Sequence, residues 1–446
     1  MSDLTAAKPI LDEPKHRSKQ THIEKLLTQL GPGLVTGAAD DDPSGIATYS
    51  QAGAQFGFAM LWIMLFSYPL MAAIQEICAR LGRITGLGVA ANLAKCYPQV
   101  VVRSLVLLLC LANIFNLGAD VSAMAAAIQL VAGGSAAAYA LIFGIVSLLL
   151  QIYVPYRRYA RYLKWLTWSL LAYVITAFTV HIPWAHALKA TFIPSISYKA
   201  DYLMALIAVL GTTISPYLFF WQTSQEVEEV KVNAHESRLK KKPFQALEQF
   251  RRIAFDTRVG MAFSNVVAFF IILTSAATLH SADPGAANHI RTAADAAKSL
   301  QPFAGHFAFL LFALGIVGTG MLAIPVLAGS AAYAVSEIFG WRASLESKPN
   351  RARKFYTLIA VATLLGVGLT LIGLDPIHAL FLAALINGLV AVPLMALLMM
   401  ISVKPAIVGE FHLPLYLRIV GWAATALMAA ASLACLASGA YQALHR

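Results

Sequence analysis

Ala38-Ala39-Asp40-Asp41-Asp42-Pro43-Ser44-Gly45 sets three consecutive carboxylates, a proline and a glycine inside what otherwise reads as a membrane helix. A charge at the bilayer centre costs about 3 kcal/mol on insertion scales, so an intramembrane acid faces a partner or water and marks function. Pro43 has no N–H and Gly45 tolerates any φ, so the sequence predicts a broken helix here. Pro43 also removes the hydrogen bond to the carbonyl four residues back, that of Ala39. Acids beside a freed carbonyl form a hard-oxygen site suited to a cation.

A second stretch answers the first. Gly211-Thr212-Thr213-Ile214-Ser215-Pro216 interrupts another apolar segment in the second half of the chain. Pro216 frees the Thr212 carbonyl by the same rule. Two Gly/Pro-broken hydrophobic segments, each opening its half of a carrier, point to a binding site at the bilayer midplane. The expected site therefore joins Asp42, Asp41, Asp40 and the backbone carbonyls of Ala39 and Thr212, with Pro43 and Pro216 as the breakers.

Composition sets the class. The chain is 59% hydrophobic and only 12% charged, whereas a soluble domain carries about 25% charged residues, so a polytopic membrane protein is expected. Cys78, Cys96, Cys110 and Cys435 are scattered without a CxxC, which supports neither a disulfide framework nor a zinc site. Residues 1 to 22 are polar and lack an apolar core, so no cleavable signal is expected and the first membrane helix directs insertion.

Eleven spans are read. Helix 1 covers about 33 to 56, helix 2 about 58 to 79, helix 3 about 104 to 131 and helix 4 about 137 to 154. Helix 5 covers about 164 to 182, helix 6 about 202 to 223, helix 7 about 258 to 279 and helix 8 about 304 to 336. Helix 9 covers about 355 to 373, helix 10 about 377 to 402 and helix 11 about 416 to 438. Residues 1 to 30 form a cytoplasmic tail in which Ile23, Leu26, Leu27 and Leu30 recur with helical spacing, as an amphipathic helix on the membrane surface does. Residues 31 to 438 form the transporter domain and 439 to 446 a short outer tail.

Charge fixes the orientation. With the N-terminus inside, only Lys189, Lys199, Arg291, Lys298 and Arg446 of the 33 Lys and Arg residues lie outside. The net charge of +11 is thus a positive-inside signature of a plasma membrane protein, and nucleic acid is not expected as a partner. The N-terminus is expected in the cytoplasm and the C-terminus on the outer side, and a monomer is compatible with the reading. Helices 1 and 6 cross in opposite senses, so repeats over 31 to 182 and 202 to 402 would bring the two breaks together at a pseudo-twofold axis. The inner loop from about 224 to 257 begins Gln225-Glu226-Val227-Glu228-Glu229 and turns basic at Lys240-Lys241-Lys242; it reads as a solvated helical loop, with a gating role for its acids as the sharper alternative.

Other intramembrane polar residues are fewer. Asn113, Asn116 and Asp120 share one face of helix 3, and Asp120 is expected to bond a neighbouring helix or to serve the pathway. Asn387, mid-helix 10, is expected to bond another helix, with a cation-facing role as the alternative. Glu76 is spaced to pair with Arg80 one turn on. Gly315, Gly318 and Gly320 suggest close packing of helix 8.

The residues carry a family resemblance. Gly31-Pro32-Gly33, eight residues, then Asp42-Pro43, followed by Ala52-Gly53-Ala54-Gln55-Phe56-Gly57 and Ala79-Arg80-Leu81-Gly82, resembles the Nramp divalent metal transporters. The resemblance implies the leucine-transporter fold, a 5+5 inverted repeat with broken helices 1 and 6. It also implies a site built from an Asp-Pro-Gly-Asn break and an Ala-x-x-Met-Pro-His pattern. Here the Asp is Asp42, the Asn position is Gly45, the carbonyl position is Thr212, the Met position is Ser215 and the His position is Tyr217. Such replacements look like the Nramp-related magnesium transporter branch, which resembles the parent in fold but lacks the soft ligand and the usual proton route. By the same resemblance Asp120 matches one acid of that route, while Asn113 and Ala123 stand where others are expected.

Ligand chemistry agrees. A thioether favours transition metals, whereas hydroxyls and carboxylates favour Mg2+, Mn2+ and Ca2+. Losing the Asn and Met side chains enlarges the cavity, and Mg2+ usually keeps several waters, through which Asp40 and Asp41 would contribute. The expectation is a secondary transporter of Mg2+ with Mn2+ tolerated, the ion being cargo rather than a resident cofactor. The alternatives are a proton-coupled Mn2+/Fe2+ symporter of the parent type and an amino-acid or organic-cation carrier of the same fold, which three adjacent acids disfavour. An intramembrane aspartyl protease using Asp42 and Asp120 lacks any Gly-x-Gly-Asp context, so no enzyme is expected.

Overall fold

The acids at the first break start a helix as well as interrupt one. In the computed structural model of the chain, Asp42 is the N-cap of the segment Pro43–Phe56, its side chain accepting the Gly45 N–H, with Pro43 at the first helical position. The described residues are 32–156, 158, 166–232, 237–280, 290, 292–371, 373 and 375–444. The tail and amphipathic helix read over residues 1 to 30 lie outside them. Among the described residues every regular element is helical.

Among the described residues the helices follow the order of the eleven spans read from the sequence. The first is split into α1a (Pro32–Asp40) and α1b (Pro43–Phe56), and is followed by α2 (Leu61–Thr85), α3 (Gln99–Ala132) and α4 (Ala136–Tyr153). A 3₁₀ turn leads into α5 (Leu171–Thr179), and the sixth span is split into α6a (Ala200–Thr213) and α6b (Pro216–Val232). Then come α7 (Ala246–Ser275), α8 (Ala308–Ile338), α9 (Arg353–Thr370), α10 (Pro376–Ser402) and α11 (Leu415–Leu444). Nine helical stretches among the described residues are long and apolar enough to cross a membrane; one of them, Pro43–Thr85, holds both α1b and α2, and α5 is a shorter apolar helix. Five spans precede α6, so it crosses in the opposite sense to α1, as the inverted repeat requires.

Both breaks fall where proline and glycine placed them, between Asp40 and Pro43 and between Thr213 and Pro216. The ends of some spans do not. α6b runs to Val232 and α7 starts at Ala246, so the helix read within the 224 to 257 loop belongs to the two spans themselves. The solvated reading of its acids is also corrected: Glu226 and Glu228 are 0% and 3% exposed. Charge pattern alone places acids in water, but Arg252 reaches Glu226 at 2.8 Å, Arg83 lies 3.8 Å from it, and Lys231 and Ser344 hold Glu228. α11 continues to Leu444, past the 438 at which the sequence ended it.

Small residues set how closely the spans approach. Of the apolar window in Ala200–Lys231, 94% is buried, against 22% for Ala136–Tyr153, so α6 is central and α4 is peripheral. α1a lies backbone to backbone on α7: a Cβ on Gly37 would stand 2.2 Å from the Gly260 carbonyl. α6a meets α10 in the same way, where a Cβ on Gly211 would stand 2.5 Å from the Gly388 nitrogen. On α8, Gly320 makes room for the Met124 thioether and the Pro43 ring, as close packing of this helix required. Outward-facing Leu107, Leu111, Ile142, Ile145, Leu364 and Leu365 remain exposed, a surface suited to lipid.

Candidate cation site

The two breaks meet. Asp42 Oδ2 accepts from the Tyr217 hydroxyl at 3.3 Å, one residue past Pro216, and the Tyr49 and Thr212 hydroxyls stand 2.9 Å apart. Asp42 is only 1% exposed and each of its oxygens has two donors. Oδ1 accepts from the Ser44 hydroxyl and the Gly45 N–H at 2.7 and 2.8 Å, which fixes the carboxylate at the start of α1b. Oδ2 accepts from the Asn116 amide at 3.1 Å as well as from Tyr217, so α1, α3 and α6b converge on this one side chain.

The neighbouring acids turn the other way. Asp40 Oδ2 and Asp41 Oδ1 lie 2.6 and 3.0 Å from the Ser264 hydroxyl of α7, which has one proton to give. Asp40 Oδ1 and Asp41 Oδ2 are buried with no hydrogen-bond partner. At an effective dielectric of about 20, two like charges about 4 Å apart repel by about 4 kcal/mol, so this pairing is poorly compensated by one hydroxyl. Asp120 is 0% exposed and neither of its oxygens closes a hydrogen bond, although the Asp42 carboxylate and the Ser44 backbone amide both bear on it electrostatically. On the neighbouring α1b it is the Ser44 backbone amide that faces Asp120, as the expectation of an interhelical partner had it. No Lys, Arg or His among the described residues pairs with Asp40, Asp41, Asp42 or Asp120.

At the second break the backbone is better satisfied than the proline rule suggested. The Ser215 hydroxyl lies 2.8 Å from the Gly211 carbonyl and 2.7 Å from the Thr212 carbonyl. Ser215 therefore caps its own helix, a bond that serine commonly makes three or four residues back. Thr212 oxygen keeps its second lone pair. The space expected at Gly45 is not open: a Cβ there would stand 3.2 Å from the Tyr49 ring, a tight contact, and 3.5 Å from Asp42 Oδ1.

The remaining candidates divide. Asn113 bonds α8 through the Leu327 carbonyl and the Ser330 hydroxyl, at 3.0 and 2.8 Å. Asn387 does not make the interhelical bond expected of it: both of its amide atoms are buried without a partner, next to the Gly388 that packs on α6a. Two residues that bear on the acids were not placed at the site from sequence, Ser264 and Asn116. Asn116 had a signal, since it shares the Asp120 face of α3; Ser264, a small hydroxyl residue in a long helix, had almost none. No three His, Cys, Asp or Glu side chains among the described residues close on one point as a full set of direct ligands would.

The chain is similar to known proteins over most of its length. The family model described as natural resistance-associated macrophage protein-like matches residues 33–438. The divalent metal cation transporter MntH of Klebsiella pneumoniae strain 342 is 26% identical over 417 residues, covering 90% of this chain and 92% of that protein. Among solved structures, the Eremococcus coleocola manganese transporter in complex with an aromatic bis-isothiourea substituted compound superposes with a TM-score of 0.72 at 17% identity, covering 94% of this chain and 88% of that one. Mhp1, a nucleobase-cation-symport-1 family transporter in a closed conformation, superposes with a TM-score of 0.56 at 15% identity, covering 90% and 92%. These structures share the fold.

Proposed function

This chain belongs to the Nramp family, and from that membership we propose that it is a secondary transporter of divalent metal cations, with Mg2+ preferred and Mn2+ tolerated. One observation carries the reading. Four buried carboxylates, Asp40, Asp41, Asp42 and Asp120, lie about the first break without a cationic side chain among the described residues to neutralise them. An unpaired buried ion costs several kcal/mol, so the arrangement calls for a cation or protons from outside the chain.

The donors favour a hard ion. Everything bonded to Asp42 is oxygen or nitrogen, and Ser215 offers a hydroxyl where the family pattern has a thioether. Acids that do not converge as direct ligands suit an ion that keeps part of its water, as Mg2+ does. Asp42 is then the first ligand, Asp40 and Asp41 act through water, the Thr212 and Ala39 carbonyls supply backbone oxygens, and Asn387 and Tyr217 border the ion. The K. pneumoniae relative, named for divalent metal cations, supports the class of cargo. The basic bias supports a bacterial plasma membrane location with the N-terminus inside.

A competition series of Mg2+, Mn2+, Ca2+ and Cd2+ in proteoliposomes, with internal pH followed, tests the proposal. Mg2+ uptake competed by Mn2+ supports it; uptake of Cd2+ with Mg2+ ignored overturns it. A second reading, Mn2+ moved with a proton, is favoured by Asp120, a buried acid with neither oxygen bonded. Lumenal acidification in step with metal entry would select that reading.

A further inference from the structure

Asn116 is 0% exposed, and its carboxamide is half used. The nitrogen donates to Asp42 Oδ2 at 3.1 Å, while its oxygen is buried with no donor in reach. An orphaned buried acceptor is costly and so calls for an explanation. The nitrogen is needed only while Asp42 Oδ2 requires a donor. A cation beside that oxygen removes the requirement and at the same moment makes an N–H facing it unfavourable. A half-turn of the carboxamide exchanges nitrogen for oxygen and aims a hard neutral donor at the same point.

We infer that Asn116 is a ligand to the transported cation, held in reserve on Asp42 and turned by the ion's arrival. The inference rests on the carrier reading of this site and adds to it a ligand from α3, on the opposite side of Asp42 from Ser44 and Gly45. Asn113, one turn away, also has an orphaned oxygen, but its nitrogen is spent on Leu327 and Ser330 of α8 and not on Asp42, so it is not held beside the carboxylate. The ion would then join three elements, α1, α3 and α6, rather than the two breaks alone. Its arrival would exchange an Asn116–Asp42 bond for two bonds to metal.

The test moves the carboxamide. Purified Asn116→Ala, titrated with Mg2+ by calorimetry, should bind about 10–100-fold more weakly, the range for losing a partner of a metal ligand. Gly45→Asn added to that variant should recover most of the loss, since a side chain at 45 starts 3.5 Å from Asp42 Oδ1, with the Tyr49 ring edge at 3.2 Å, a side chain able to give way, and the Asp40 carbonyl at 3.6 Å. A donor that merely braced Asp42 from α3 would not be replaced from α1. Asn116→Asp covers the case in which the alanine variant folds poorly: as a ligand it supplies an anionic oxygen and binds Mg2+ at least as tightly as the unaltered chain. As a mere donor to Asp42 it would fail, because a carboxylate cannot donate. Normal Mg2+ binding by Asn116→Ala, or loss of binding by Asn116→Asp, overturns the inference; the carrier reading survives either result if Asp42→Ala still abolishes binding. Normal binding by Asp42→Ala as well would remove both.

Discussion

Two groups of buried acids in this molecule are treated in opposite ways. Away from the breaks, Glu76 is held by Arg80 at 2.7 Å and Arg258 at 3.1 Å, Glu226 by Arg252 at 2.8 Å, and Glu228 by Lys231 at 3.4 Å. At the breaks, Asp40, Asp41, Asp42 and Asp120 are just as buried and draw no cation from the described residues. Burial alone therefore does not separate structure from function here. The fold neutralises the acids that tie α2, α6b, α7 and α11 together, and gives no cationic side chain among the described residues to those around which the helices unwind.

The largest expected effect is on the paired side. Glu226→Ala removes the carboxylate between Arg83 and Arg252 and leaves guanidinium charge buried, a loss of about 3–5 kcal/mol seen as a lowered melting temperature in detergent. Asp120→Asn, by contrast, deletes an unbonded buried charge and should melt at the same temperature or higher. If the two variants melt alike, the division between the groups fails. Gly37→Ala comes next. Its new Cβ must push α1a off the Gly260 carbonyl, an overpacking cost of about 1–3 kcal/mol, and should raise the labelling of a cysteine placed on α7 beside Gly260. Unchanged labelling would mean that α1a has slack which the contact does not suggest.

Ser215→Met sharpens the comparison between the breaks themselves. The change uncaps the Gly211 and Thr212 carbonyls and brings in sulfur, so preference should move towards Mn2+ and Cd2+ by about tenfold, near 1.4 kcal/mol. An unaltered order of competition would mean that position 215 does not face the ion. Smallest of all is Lys231→Ala. Its side chain is 54% exposed, so losing the pair with Glu228 should cost about 1 kcal/mol or less in the same melting assay.

Much of this was legible in the sequence where the cause is local. Pro43, Gly45 and Pro216 act on carbonyls three or four residues away, so both breaks were read within a residue or two. Glu76 and Arg80, one turn apart, were paired correctly for the same reason. What the sequence hid depends on distant partners. Glu226 looked solvated because Arg83 lies 143 positions earlier on another helix, and Ser264 looked ordinary because Asp40 is 224 positions away. Ser215 is the instructive exception: its bond to Thr212 is local and is a habit of serine, yet the expectation of a freed carbonyl overlooked it.

The central claim is that unpaired carboxylates at the first break hold a divalent ion, and equilibrium binding tests it most directly. Titration of the purified chain with Mg2+ should give saturable heat that is absent in Asp42→Ala, while that variant, which loses the cap on α1b, still melts cooperatively as a folded protein. The same heat in both proteins would contradict the account.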